Sequence, residues 1–121
     1  MSNAIERVGV IGAGQMGAGI AEVSARAGVD VTVFETTEAL TTAGRNRIVK
    51  SLERGVSAGK ITERERDQAL GRLRFTTDLA DLADRQLVIE AIIEDESVKA
   101  GVFAKLDEII TDSDAVLASN P

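Results

Sequence analysis

Val8-Gly9-Val10-Ile11-Gly12-Ala13-Gly14-Gln15-Met16-Gly17 is the stretch whose reading decides the fold. An apolar run of the length a buried strand needs passes directly into a turn spaced GxGxxG, and Ile20, Val23 and Ala27 follow at helical spacing. The implied order is strand, tight turn, helix. Glycine-rich turns occur in many loops, but a strand before, a helix after and an acid downstream make this one a dinucleotide turn rather than an ordinary strand-to-helix connection. Gly12 permits the bend, Gly14 lets the main chain approach a pyrophosphate, and Gly17 lets helix and strand pack closely. The unpaired amides of the new helix, Ala13 to Met16 beside them, and its positive dipole end face the phosphates.

Downstream, Gly28 sits where that helix would stop, and Asp30-Val31-Thr32-Val33-Phe34 reads as a second strand rich in β-branched residues. It ends at Glu35, 18 positions beyond Gly17. That is near the spacing of about 20 at which a carboxylate accepts hydrogen bonds from the adenosine ribose. A fixed negative charge there repels a 2′-phosphate, and Thr36-Thr37 offers no arginine to offset it, so NAD is favoured over NADP.

A helix is expected from Glu38 to about Val56, then a loop through Gly55, Ala58 and Gly59. A second helix is announced by the capping box of Thr62 and Glu65. Residues 45–74 hold nine of the 14 basic residues against four acids, a net +5 that leaves −11 elsewhere. Such a local basic surface can receive a second phosphorylated ligand; the alternative is a solvated helical hairpin. Leu73-Arg74-Phe75-Thr76 reads as a third strand and Asp78 to Ala83 as a small helix or turn. Leu87-Val88-Ile89 continues into Glu90-Ala91-Ile92-Ile93 as a fourth strand and its exit. A helix from about Ser97 to Ile110 puts Val98, Val102, Phe103, Leu106, Ile109 and Ile110 on one face, and Ala115 to Ala118 makes a fifth strand.

Strands alternating with helices imply an α/β, Rossmann-type parallel sheet in the order 3-2-1-4-5, with a two-helix excursion between strands 2 and 3. Ligands of such sheets sit beyond the carboxyl ends of the strands, at the switch between strands 1 and 4. Gly12 to Gly17, Glu35, Ala91 to Glu94 and Ser119-Asn120 all fall on that edge.

Composition narrows the function. The 121 residues fit one domain. A net charge of −6 and the absence of Trp and Tyr disfavour nucleic acid. With neither Cys nor His, thiolate chemistry is excluded, the commonest metal ligand is missing, and so is the commonest base near neutral pH; no metal is expected. No apolar run approaches the roughly 20 residues that span a bilayer, and no secretory signal is evident, so a cytoplasmic protein without a membrane partner is expected.

The assembly resembles the NAD-binding domain of the 3-hydroxyacyl-CoA dehydrogenase family, especially the 3-hydroxybutyryl-CoA type. The likeness rests on VIGAGQMGAGIA at 10–21, VFETT at 33–37, SLERGVSAGKIT at 51–62, LVIEAIIED at 87–95 and ASN at 118–120. It implies the Gly12-Ala13-Gly14-Gln15-Met16-Gly17 turn for the pyrophosphate and Glu35 for the ribose, where relatives more often have Asp. It implies Glu94 and Lys99 beside the nicotinamide half. On the excursion, Ser51 matches a coenzyme A contact; the family's nearby lysine contact aligns with Ala58, which leaves Lys60 as an offset candidate. The implied substrate is a coenzyme A thioester of fatty acid metabolism.

The family continues Ser-Asn-Thr-Ser-Ser where this chain reads Ser119-Asn120-Pro121. The resemblance therefore leads us to expect one partial NAD-binding domain over residues 1–121. The family's catalytic His, its partner Glu and a helical second domain would be absent. Hydride transfer from C3 requires a base for the hydroxyl proton, and Glu90 and Glu94 are poor substitutes for histidine. The chain alone is thus expected to bind NAD and to turn over negligibly, with no catalytic residue of its own. An exposed edge where a sixth strand belongs could support homo-oligomers. Two rival readings stand beside this one: a related NAD-dependent 3-hydroxy acid or sugar-acid dehydrogenase, and a non-enzymatic nucleotide-binding module.

Overall fold

The computed structural model describes residues 4–92, 96–111 and 114–119, with side chains described for all of these except 96–99 and 119. Strands β1 (Arg7–Ile11), β2 (Asp30–Phe34), β3 (Leu73–Thr76), β4 (Leu87–Glu90) and β5 (Val116–Ser119) form one parallel sheet, ordered β3-β2-β1-β4-β5. This is the expected order. Helices α1 (Gln15–Arg26), α2 (Glu38–Ser57), α3 (Glu63–Gly71) and α4 (Glu96–Ile109), with a short 3-10 helix at Leu79–Leu82, make the crossovers.

The period-two alternation of the strands sorts side chains into two cores. Val8 aligns with Val31 and Leu87, and Val31 with Leu73, so these residues share the face covered by α1, α2 and α3. Ile11 and Val88 point the other way and pack with Leu82 and Leu106 under α4. Along α1 the buried residues are Gly17, Ala18, Ala21 and Ala25, all small, which lets the helix lie close to β1.

The excursion differs from expectation at one point. Gly55, expected in the loop, lies inside α2, which ends at Ser57 within a residue of its expected end, and the chain reverses at Gly59 as expected, with a φ of +72° that suits glycine. Gly55 serves close approach: a Cβ there would stand 3.2 Å from Ile61 Cγ1, and its carbonyl accepts from Lys60 N at 2.9 Å. The capping box forms as expected, with Thr62 Oγ1 accepting from Glu65 N at 3.0 Å and Glu65 Oε1 accepting from Thr62 N at 2.9 Å.

The basic run does not form one surface. Arg72 donates to the Ala25 carbonyl at 2.8 Å and Arg66 pairs with Asp67 and Glu53, while Arg47, Lys50 and Arg54 line a groove against α1. The charges are divided because their side chains reach different partners, a carbonyl of α1, two acids and the groove, which linear composition cannot separate.

At the opposite end of the sheet from the glycine turn, Arg85 is buried and donates from Nε and Nη2 to the two Asp84 oxygens, both at 3.0 Å, and reaches Asp30 Oδ2 at 3.4 Å. Its stem covers Gly9, where a Cβ would lie 3.2 Å from Arg85 Cγ. Asp84→Asn leaves this guanidinium with Asp30 as its one remaining carboxylate and is expected to lower the unfolding midpoint by a few degrees at neutral pH. Hydrogen bonding from Arg85 holds the Asp84 carboxyl below its ordinary 3.8, so its contribution is present above that value and is lost as pH falls through the lower folded-state value. The gap between the thermal melts of the two proteins should therefore begin to narrow below pH 3.8 and close once the pH is under the lower folded-state value; a gap that persists in stronger acid would contradict this account.

Candidate functional site

Strand β1 delivers the chain to Gly12, which turns at φ +100° and has the Ala91 carbonyl 3.2 Å from where a Cβ would sit. Successive peptides of the turn are then held in place. Gly12 N–H donates to the Phe34 carbonyl at 2.9 Å, and Ala91 N–H donates to the Ile11 carbonyl at 2.8 Å, tying the exit of β4 to the turn. Ala13 N–H donates to Glu35 Oε2 at 2.8 Å, and the Ala13 carbonyl accepts from Arg47 Nη1 at 3.0 Å. The Gly14 amide forms no hydrogen bond among the described residues, and a Cβ on Gly14 would meet nothing within 4 Å. Behind it, a Cβ on Gly17 would lie 1.8 Å from the Gly12 carbonyl oxygen, so helix and turn are in direct backbone contact.

Glu35, half-buried at the end of β2, is held from both oxygens, since Oε1 also accepts from its neighbour Thr36 N at 3.0 Å. Unused lone pairs on that carboxylate remain available to hydroxyl donors. An open helix start with an unpaired amide, next to a fixed acid, has the shape and polarity for a diphosphate joined to a sugar. The residues present therefore fit an NAD molecule. Glu90, one strand over, is fully buried and its carboxylate accepts from Ile92 N, so it is turned into its own strand exit and away from the role of a solvent-facing base.

Gln15 opens α1 and also lines the groove between α1 and α2, a cavity of about 490 Å³ with Glu22, Arg47, Lys50, Ser51 and Arg54. A neighbouring depression of about 380 Å³ shares Glu22, Ser51 and Arg54 and adds Lys60. Ser51 thus stands on the wall common to both. Of the expected site residues, the structure brings Gly12, Ala13, Gly14, Gln15, Met16, Gly17, Glu35 and Ala91 to one edge, and Ser51 and Lys60 to the adjoining groove. Glu94 and Asn120 lie outside the described residues, as does the Lys99 side chain. Among the described residues no group of three or more acids could hold a metal ion, and no helix is long and apolar enough to cross a membrane.

Two contacts on the turn escaped the sequence reading. Gly44 of α2 packs on the turn, where a Cβ would come within 2.4 Å of Ala13 Cβ and 3.0 Å of the Ala13 carbonyl oxygen. Arg47, one turn further along, holds that same carbonyl. The available signal was the interior glycine itself, which costs a helix about 1 kcal/mol relative to alanine and so marks a close approach.

Comparison with known proteins gives the family. Residues 7–121 match the family model described as 3-hydroxyacyl-CoA dehydrogenase, NAD binding domain. The chain is similar to a 3-hydroxybutyryl-CoA dehydrogenase of Mycobacterium tuberculosis, 78% identical over 120 residues, covering 99% of this chain and 42% of that protein. The crystal structure of M. tuberculosis FadB2 superposes with a TM-score of 0.96 at 77% identity, covering 98% of this chain and 42% of that one. For (S)-3-hydroxybutyryl-CoA dehydrogenase PaaH1 from Ralstonia eutropha the TM-score is 0.92 at 33% identity, covering 98% and 41%. The chain therefore spans well under half the length of these relatives. On the strength of the match from Arg7 to its last residue, the chain belongs to the NAD-binding domain family of the 3-hydroxyacyl-CoA dehydrogenases.

Proposed function

We propose that this chain is the NAD-binding part of a dehydrogenase that interconverts 3-hydroxyacyl-CoA and 3-oxoacyl-CoA, with 3-hydroxybutyryl-CoA as the substrate type. The observation that carries the proposal is the Gly14 amide, open and unpaired among the described residues, held beside Glu35 in a turn fixed from three elements. The Gly12 to Gly17 turn takes the pyrophosphate, with Gln15 and Met16 at the helix start and Ala13 shaping the turn through its bonds to Glu35 and Arg47, and Glu35 takes the adenosine ribose. Glu94 and Lys99 serve the nicotinamide half, as the family resemblance implies, and Ala91 and Asn120 join the cofactor site by their place on the carboxyl edge of the sheet. The groove at Ser51, with Lys50 and Arg54, takes the phosphates of coenzyme A, and Lys60 reaches them from the adjoining depression. NAD, when bound, supplies the hydride acceptor; the residues of this chain bind and orient it. With no histidine in 121 residues, these residues bind and do not by themselves remove the hydroxyl proton. The same reading makes the protein cytoplasmic, a possible homo-oligomer, and a partner of neither nucleic acid nor membrane.

The test is a pair of titrations, with NADH and with coenzyme A. Lys50→Glu with Arg54→Glu is expected to weaken coenzyme A by about tenfold or more and to leave NADH unchanged, because both cations face the groove and neither touches the turn. Unchanged coenzyme A binding would favour a dehydrogenase acting on a free hydroxy acid, and absence of NADH binding would sink the assignment.

A further inference from the structure

We propose that Arg47 is a positioning residue for the dinucleotide, acting by aiming the Gly14 amide; the proposal rests on the reading of the turn given above. Arg47 belongs to the basic run of the excursion, yet its guanidinium crosses to another element and donates to a carbonyl 34 residues away, at 3.0 Å. The residue bearing that carbonyl, Ala13, is 1% exposed. A peptide is planar and trans, so the Ala13 carbonyl and the Gly14 N–H point in opposite directions from one rigid unit. Gripping the first from the α2 side therefore fixes the direction of the second, and the Gly14 N–H makes no hydrogen bond among the described residues.

The preceding peptide is fixed in the same manner by the opposite charge, since Glu35 takes the Ala13 N–H. Two ionised side chains from β2 and α2 thus set the orientation of consecutive peptide planes on either side of Ala13, and charged hydrogen bonds are the stronger kind. Arg47 is not what docks the excursion: Ile48 and Leu52 of α2 are 1% and 0% exposed and anchor that helix in the core, while Arg47 itself is exposed on the groove side. Its removal should therefore leave the fold standing and act on the turn. The guanidinium also sets a positive charge beside the site of a diphosphate.

Arg47→Met, which keeps much of the stem and removes the donors, is expected to raise the NADH dissociation constant about tenfold while the melting temperature of the ligand-free protein stays put. ADP, which carries the diphosphate, should weaken to the same degree. Adenosine, measured by competition, should bind variant and wild type alike, because its contact is with Glu35. Arg47→Lys, retaining one charged donor of similar reach, should recover most of the loss. A purely structural role would lower the melting temperature and weaken all three ligands together; that result, or unaltered NADH binding in Arg47→Met, or no recovery in Arg47→Lys, would overturn the inference. Wild-type protein that fails to bind NADH would overturn the reading of the turn itself, and this inference with it.

Discussion

Gly17→Ala should abolish measurable NADH binding and lower the unfolding temperature, whereas Gly14→Ala should weaken binding with the fold intact. The two glycines lie three residues apart in one motif but face different surroundings. A Cβ on Gly17 would stand 1.8 Å from the Gly12 carbonyl oxygen and 2.8 Å from the Gly12 carbonyl carbon, both backbone atoms that no side-chain rotation can move. Relief requires α1 and the turn to separate by about an ångström. Overpacking of that kind costs about 1–3 kcal/mol, more where backbone must move, and an ångström of misplacement costs about a hundredfold in function. At Gly14 the backbone has φ −68° and ψ −169°, which alanine adopts freely, and among the described residues no atom beyond the adjoining chain lies within 4 Å of the new methyl. The space it would fill is the space assigned to the pyrophosphate. Differential scanning fluorimetry and NADH titration on the two variants separate the effects. If Gly14→Ala binds NADH as wild type does, the diphosphate does not approach there.

Replacement of Glu35 is the second large effect, and its direction depends on the ligand. In Glu35→Ala the Ala13 amide loses its 2.8 Å acceptor and the ribose loses a charged one. Hydrogen bonds to a charged group contribute about 1.5–3 kcal/mol each, so NADH affinity should fall about tenfold to a hundredfold. For NADPH the loss is offset by removal of a like charge beside the 2′-phosphate, an effect of about 1–4 kcal/mol at 4 Å between the aqueous and protein-surface limits. The preference for NADH over NADPH should therefore shrink by at least tenfold, and Glu35→Gln, which retains a side-chain acceptor, should weaken NADH less than alanine does. Parallel titrations with the two cofactors decide the matter. An unchanged preference would mean that the carboxylate does not face the ribose.

The legibility of this protein follows from how its signals are distributed along the chain. The strands could be found because each is short, apolar and flanked by a turn or an acid. The capping box at Thr62 and Glu65 could be found because its two partners are three residues apart. Gly55 was expected in the loop and lies inside α2, because glycine has two uses, turning and close approach, and only the position of Ile61 tells which one applies there. The charge run was ambiguous for a related reason. Nine cations in 30 residues describe a segment, while Arg72 on the Ala25 carbonyl and Arg47 on the Ala13 carbonyl describe contacts.

The sequence by itself determined the order of elements, the parallel sheet with its switch point between β1 and β4, the dinucleotide turn and the acid opposite it. Each of these is written in local periodicity, in glycine spacing, or in a separation fixed by one strand-helix-strand unit. Only the tertiary structure decided that α2 lies against the turn at Gly44, that Arg47 takes a turn carbonyl, and that Glu90 is turned inward onto the Ile92 amide. Those outcomes depend on how closely two helices and a strand end approach one another, and that distance is set by the packing of the whole core rather than by any pattern along the chain.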